Sequence, residues 1–326
     1  MPVVSVLLVF HRDSAFLRPA IASVLGQTLR DLELVLVDNG TGLAAAALGA
    51  AGADERLRWV RLPENRGIAA GHNAGLAAAR GEFVALLDYD DLALPTRLEK
   101  QVAALRADPR LALVGSAAET IDGDGRVTGR EFTLLDEAAQ RRFSHYSVPA
   151  TTVSHTGRRE IFGRFPYRPE FALAHDVDFF SRVTEAHATR ALAEPLVQYR
   201  RYPAQATVAG ARRQALGACL ARLVAARRRA GRPEDLAGAM SLVAGWEAQP
   251  PGLAELYARF AEIFLAEGFG LLAAYHARKL VAASRSPAVL WRAAAVVRAA
   301  RRCAPADPVG RMFWTGPLRT HGLTPA

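Results

Sequence analysis

The chain of 326 residues is long enough for one large domain or two, and its 51% hydrophobic content is ample for a buried core. Its only cysteines, Cys219 and Cys303, stand far apart without metal-ligand spacing, which argues against a disulfide framework and fits a reducing cytoplasm. The formal charge of +9 is uneven: from residue 205 onward there are 17 Lys plus Arg against 7 Asp plus Glu, which leaves 24 and 25 of the totals for residues 1–204.

The first predicted strand is Val3 to Phe10, followed by His11 and Arg12 and then a helical pattern from Ala20 to Gln27. A second strand, Leu32 to Val37, runs into Asp38-Asn39-Gly40-Thr41, and an Ala-rich helix is expected over Leu43 to Ala51. Leu57 to Arg61 is a short third strand, and Gly67 to Arg80 reads as a helix punctuated by glycine. The run Glu82 to Leu87 is apolar, bounded by Gly81, and ends in Asp88-Tyr89-Asp90-Asp91. Strand and helix alternate through the first ninety residues, which predicts a doubly wound, mostly parallel, Rossmann-like α/β sheet. Such sheets bind ligands in the crevice at the carboxyl ends of their strands. The polar residues ending the first, second and fourth strands should share it.

Clustered carboxylates repel one another, and a divalent cation carrying a phosphorylated ligand relieves that repulsion. The alternative is a solvated loop whose Asp caps the helix that begins near Pro95. There is no Gly-x-x-x-x-Gly-Lys-Ser/Thr loop, and no Gly-x-Gly-x-x-Gly follows the first strand, so a P-loop ATPase and the usual dinucleotide fold are not expected. Ile121-Asp-Gly-Asp-Gly-Arg-Val-Thr-Gly129 reads as a hairpin turn, since the remaining ligands of a calcium loop do not follow.

Beyond the hairpin, His175-Asp176-Val177-Asp178-Phe179 precedes a helix-like stretch to Ala186, and Glu194-Pro195-Leu196-Val197 leads to Tyr199-Arg200-Arg201-Tyr202. Together with Asn65-Arg66-Gly67-Ile68, Asn73-x-Gly75, Ala79-Arg80-Gly81-Glu82-Phe83, Asp88-x-Asp90-Asp91, Pro95 and Arg97-Leu98, this ordered series over about residues 3–207 resembles the family 2 glycosyltransferases. The resemblance implies a GT-A fold over residues 1–207, an inverting transfer and a nucleotide-diphospho-sugar donor, most often a UDP-sugar. It also implies a divalent cation, Mg²⁺ or Mn²⁺. Asp38 matches the carboxylate that binds the base, Asp88 the residue near the ribose, and Asp90 the direct metal ligand, with Asp88 beside it. Val9 and Asn73 are placed by the resemblance on the nucleotide side. Arg66 either neutralises the diphosphate or faces solvent from a helix, and His11 either packs on the base or sits in a loop. Asp176 matches the general base that takes the acceptor's proton, or it caps the following helix.

Three departures stand out. His175 occupies a place where Glu is more usual, Val9-Phe10-His11-Arg12 replaces a Pro-x-Tyr-Asn pattern, and Tyr202 stands where the family often has His. A neutral phenol is a poor ligand for Mg²⁺ or Mn²⁺. The acceptor class implied is a glycan or lipid-linked hydroxyl in cell-surface polysaccharide or glycolipid synthesis. A non-catalytic scaffold or partner subunit that binds nucleotide is the alternative, although a scaffold has no need of Asp38, Asp88, Asp90 and Asp176 together.

Residues 208–326 carry the positive excess and read as a basic Ala/Arg-rich helical region, with helices at Ala211–Arg229, Leu253–Ala266, Gly270–Ala283 and Pro287–Arg302. In the last, Leu290, Ala293, Val296 and Val297 form an apolar side opposite Trp291, Arg298, Arg301 and Arg302. This helix either packs on the catalytic domain or lies on an anionic membrane face. No nucleic-acid reading motif accompanies the charge. The start Met1-Pro-Val-Val lacks a signal-peptide pattern and no run is long enough to span a bilayer, so a cytoplasmic protein is expected, soluble or peripheral at the membrane.

Overall fold

Four strands, β1 (Val4–Phe10), β2 (Leu32–Asn39), β3 (Leu57–Leu62) and β4 (Phe83–Asp88), pair in parallel in the spatial order β3-β2-β1-β4. The computed structural model describes residues 1–246, 251–284 and 286–303. Every residue of β1 and β2 is buried, as expected of central strands covered on both faces. The two-residue period divides their side chains between two cores. Val4, Val6, Leu8 and Phe10 pack on one face with α1 (Leu17–Leu25). Leu7 and Val9 pack on the other, with Ala69 of α2 (Ile68–Ala78). Gly71 and Gly75 let α2 lie close to the sheet: a Cβ at Gly71 would stand 2.6 Å from Val9 Cγ1.

The sheet continues past β4 as a mixed extension. After β5 (Leu92–Ala93) and α3 (Arg97–Ala107), β6 (Leu111–Ile121) turns back into β7 (Val127–Arg130) through the expected hairpin, closed by Asp122 and Arg126, with Gly125 at φ 85°. Helices α4 (Glu137–Phe143) and α5 (Arg159–Arg164) flank β8 (Thr156–Arg158), and α6 (His175–Ala186) leads into β9 (Ala188–Arg200). Strand β8 is antiparallel to both β4 and β6, whereas β9 runs parallel to β6. The whole is a mixed, mostly parallel α/β sheet, as the alternation of strands and helices predicts.

Two local expectations change. The stretch expected as a helix over Leu43 to Ala51 forms 3-10 turns at Ala45–Ala53, because Gly49 at φ 59° breaks the continuous helical backbone. Arg66 lies before α2, not on it: it is exposed in the loop, and its backbone N–H donates to Asn39 Oδ1 at 3.0 Å.

Two compact units divide the chain at Pro203/Ala204. The second contains α7 (Ala206–Ala209), α8 (Ala211–Arg229), α9 (Leu236–Ser241), α10 (Leu253–Ala266), α11 (Gly270–Ala283) and α12 (Pro287–Cys303). Leu256, Phe260 and Phe264 of α10, Ala273 and Ala277 of α11, and Ala293, Val296 and Ala300 of α12 are buried. Leu290, expected on that apolar side, is instead 40% exposed. Cys219 is buried and free. The side chains of Arg301, Arg302 and Cys303, and all of residues 304–326, lie outside the described residues. Among the described residues, no helix is long and apolar enough to cross a membrane.

Candidate active site

The register of the central strands aligns their carboxyl ends. Phe10 stands opposite Asp38 of β2, and Val9 opposite Asp88 of β4. The apolar run that makes β4 a buried strand therefore delivers Asp88, Asp90 and Asp91 to the crevice edge together. One ligand atom from each lies within 4.8 Å of the others.

Their partners differ. Asp91 Oδ1 accepts from the Arg200 backbone N–H at 2.7 Å, while its Oδ2 is buried with no hydrogen-bond partner. Asp90 Oδ2 accepts from the Tyr202 hydroxyl at 2.7 Å, and the Asp90 carbonyl accepts from Arg200 Nε at 2.8 Å. The buried Arg200 also donates to the Asp122 carbonyl at 2.8 Å and stacks over Phe16 at 4.3 Å, which ties the acidic turn to the hairpin. Burial, then the nearby charges of Asp90 and Asp176, push Asp88 up to about 7. Asp91 is raised well above the ordinary carboxylate range by burial and by Asp90 and Asp88. Asp90 is raised by burial against the opposing hydrogen bond from Tyr202. A buried acid cluster with an unpartnered carboxylate oxygen is a donor set that a hard divalent cation would neutralise.

Asp38 is almost fully buried, and its Oδ1 accepts from the Thr41 backbone N–H at 2.8 Å and the Thr41 hydroxyl at 2.7 Å. Its Oδ2 faces Arg61 Nη1 at 3.9 Å and keeps acceptor capacity. Val9 is buried against α2, so its side chain is part of the core. Asn73 has both ends of its amide engaged: Nδ2 donates to the Tyr167 carbonyl at 2.8 Å and Oδ1 accepts from the Tyr167 N–H at 3.0 Å. It holds the segment before α6 onto α2. His11 is exposed and meets Tyr89 edge-to-face with centroids 5.6 Å apart. Among the described residues, the Arg66 side chain makes no hydrogen bond or ion pair with the acid cluster.

Asp176 lies inside α6, with Ala174 at the N-cap position and no side-chain cap there. The cap alternative therefore does not hold. Thr152 Oγ1 donates to Asp176 Oδ2 at 2.9 Å, and the Val177 N–H donates to Oδ1 at 2.8 Å. Beside it, His175, His72 and Tyr167 pack as a buried aromatic trio with centroids 4.9–5.4 Å apart. Burial and the neighbouring His175 push His72 down to about 3. Sequence reasoning placed Asp91 only within the acid cluster, without a contact of its own, and gave no role to Thr152 or Arg12. Asp91 was signalled by its place in the acid run, but nothing local marks Thr152, which reaches Asp176 across 24 residues.

A GT-A sheet with acids gathered at its carboxyl edge defines a glycosyltransferase-type fold. Residues 5–165, just under half of the chain, match the sequence model of Glycosyl transferase family 2. Over 131 residues it is 37% identical to the succinoglycan biosynthesis protein ExoO of Rhizobium meliloti, covering 40% of this chain and 36% of ExoO. It is 28% identical to the putative glycosyltransferase EpsH of Bacillus subtilis over 61% of each chain. An uncharacterized glycosyltransferase of Methanocaldococcus jannaschii, MJ1057, is 27% identical over 61% of this chain and 71% of its own length. The chain thus spans about a third of ExoO and less than two thirds of EpsH. The crystal structure of S. aureus TarS 1-349 in complex with UDP-GlcNAc superposes with a TM-score of 0.55 at 15% identity, covering 93% of this chain and 92% of that one. The family has relatives in polysaccharide biosynthesis, and the likeness to TarS is one of fold.

Proposed function

We propose that the protein is an inverting glycosyltransferase that moves a sugar from a nucleotide-diphospho-sugar, a UDP-sugar, to a hydroxyl of a glycan or lipid-linked acceptor in cell-surface polysaccharide or glycolipid synthesis. The observation that carries this reading is the gathering of Asp88, Asp90 and Asp91 at the carboxyl edge of the parallel strands; the charge of Asp176 adds to the burial and the Asp90 charge that raise Asp88. Asp38 would accept from the nucleotide base through Oδ2, and Asp88 would bind the ribose. Three carboxylates, one with an orphaned oxygen, fit Mg²⁺ or Mn²⁺, held by Asp90 with Asp88 alongside. When bound, such a cation stabilises the negative charge that grows on the departing nucleoside diphosphate.

The remaining work falls to the chain. Asp176 takes the proton of the acceptor hydroxyl as that oxygen bonds to the anomeric carbon and the bond from that carbon to the diphosphate oxygen breaks. Both Asp176 oxygens already accept one hydrogen bond, which fixes the carboxylate while leaving a lone pair on each. Attack opposite the leaving group inverts the anomeric configuration. Peripheral contact with an anionic cytoplasmic membrane through α12 belongs to the same proposal, supported by the outward Trp291 and Arg298.

A panel of UDP-, GDP- and dTDP-sugars, each with Mn²⁺, Mg²⁺ or chelator, tests this reading. Metal-dependent release of one nucleoside diphosphate is expected, UDP foremost. Nucleotide binding without turnover across the panel and a range of glycan and lipid-linked acceptors would favour the scaffold alternative.

A further inference from the structure

Two departures from the family pattern touch each other. Arg12, in the loop that follows β1, donates through Nη2 to the Tyr202 hydroxyl at 3.0 Å and through Nε to the Tyr89 hydroxyl at 2.9 Å. Tyr202 in turn lies 2.7 Å from Asp90 Oδ2. The hydrogen-bond inventory fixes the direction of this chain. A guanidinium can only donate, so the Tyr202 oxygen accepts from Arg12. The phenol proton points at Asp90 Oδ2 at 2.7 Å, and the Tyr89 hydroxyl, which also accepts from Arg12, lies within reach of the Tyr202 oxygen. Tyr202 thus holds Asp90 by one oxygen. Its ring is braced edge-to-face against Phe16, at 5.1 Å between centroids, and Phe16 is itself capped by Arg200.

We propose that Arg12 and Tyr202 are positioning residues acting in series, a guanidinium–phenol–carboxylate relay that orients Asp90 and leaves its Oδ1 available to a divalent cation. Tyr202 would act behind Asp90 and not as a ligand itself. The inference rests on the reading of Asp90 as the metal ligand. It goes beyond that reading in giving two unassigned side chains one joint task. It also explains why a phenol stands beside the acid cluster where a better metal ligand would be expected. Outer partners of ligating carboxylates commonly contribute about 10–100-fold in metal affinity.

The test is Mn²⁺ affinity of the full chain without donor, read by electron paramagnetic resonance of the free ion, with thermal midpoints measured in parallel. Tyr202→Phe removes only the hydroxyl and is expected to weaken Mn²⁺ binding about 10–100-fold with little change in midpoint. Arg12→Lys keeps the charge but loses the fork that reaches Tyr89 and Tyr202 together. It should weaken binding in the parent and have almost no further effect in the Tyr202→Phe background, since residues in one network are non-additive. Equal fold-losses from Arg12→Lys in both backgrounds, or no effect of Tyr202→Phe, would overturn the relay. Arg12 lies in an exposed loop, so Arg12→Lys should fold, and an unchanged affinity in that variant alone also overturns it. Asp90→Ala separates the two ideas. Parent-like affinity there removes Asp90 as ligand, whereas loss at Asp90 with none at Tyr202 removes the relay only.

Discussion

At the residue scale, Asp176 carries the sharpest consequence. Its carboxylate is held by Thr152 and by the Val177 N–H, contacts an amide oxygen could also accept in part. Asp176→Asn should therefore fold normally and bind UDP with parent-like affinity, since the donor contacts assigned to Asp38, Asp88 and Asp90 are untouched. An amide cannot take a proton near neutral pH, so turnover should fall by about 10²–10⁴-fold. Steady-state transfer beside calorimetric UDP binding measures both, and normal transfer by this variant would end the assignment of Asp176 as base. Asp178 is a poor substitute, because it is buried in ion pairs with Arg168 and Arg182 at 3.5 and 2.8 Å.

The acidic turn after β4 behaves as an element, and its pH response follows from burial. Asp88 is pushed up to about 7 in the fold, whereas an unfolded Asp titrates near 4. Between those values the folded chain holds the proton that the unfolded chain has released. Stability from this group is thus full below about pH 4 and is lost as pH rises through about 7. Without metal, the thermal midpoint should decline from pH 5 to pH 8, and Asp88→Asn should flatten that decline. His72, pushed down to about 3, acts in the opposite sense below about pH 6.5, so the comparison with Asp88→Asn isolates the turn. A midpoint slope identical in parent and variant would contradict the burial argument. Helix α2 offers a second test at this scale: Gly71→Ala drives a Cβ to 2.6 Å from Val9 Cγ1, and should cost about 1–3 kcal/mol in denaturant unfolding.

These elements also mark what was legible in the sequence. Apolar runs ending abruptly in acids locate β2, β4 and the crevice, because burial and charge alternate there over a few residues. The helix expected over Leu43 to Ala51 does not form, because alanine propensity says nothing of Gly49, whose positive φ only the fold reveals. Asp176 lay close enough to a helix start to suggest a cap, and the structure moves that start to His175. The Arg12–Tyr202 contact joins residues 190 apart, and no local pattern could announce it.

For the whole molecule, the question is where the positive charge goes. Residues 205–326 carry 17 Lys plus Arg against 7 Asp plus Glu, while residues 1–204 are nearly balanced at 24 against 25. Burial of Ala293, Val296 and Ala300 turns one face of α12 inward and leaves Trp291 71% exposed, with Arg298 also outward and Leu290 40% exposed. An indole beside guanidinium groups suits a lipid interface, where the ring sits at headgroup depth and each nearby cation adds about 1 kcal/mol on an anionic surface. The helix is too polar to span, so the contact would be peripheral and screened by salt. Sedimentation of the protein with phosphatidylserine/phosphatidylcholine vesicles should therefore exceed that with phosphatidylcholine alone, and should fall between 50 mM and 500 mM salt. Trp291→Ala should lower the bound fraction while leaving sugar transfer to a soluble acceptor analogue unchanged, because Trp291 belongs to a different compact unit from the acid cluster. Equal binding to both vesicle types, or none to either, would mean that the exposed face of α12 serves something other than a charged lipid surface.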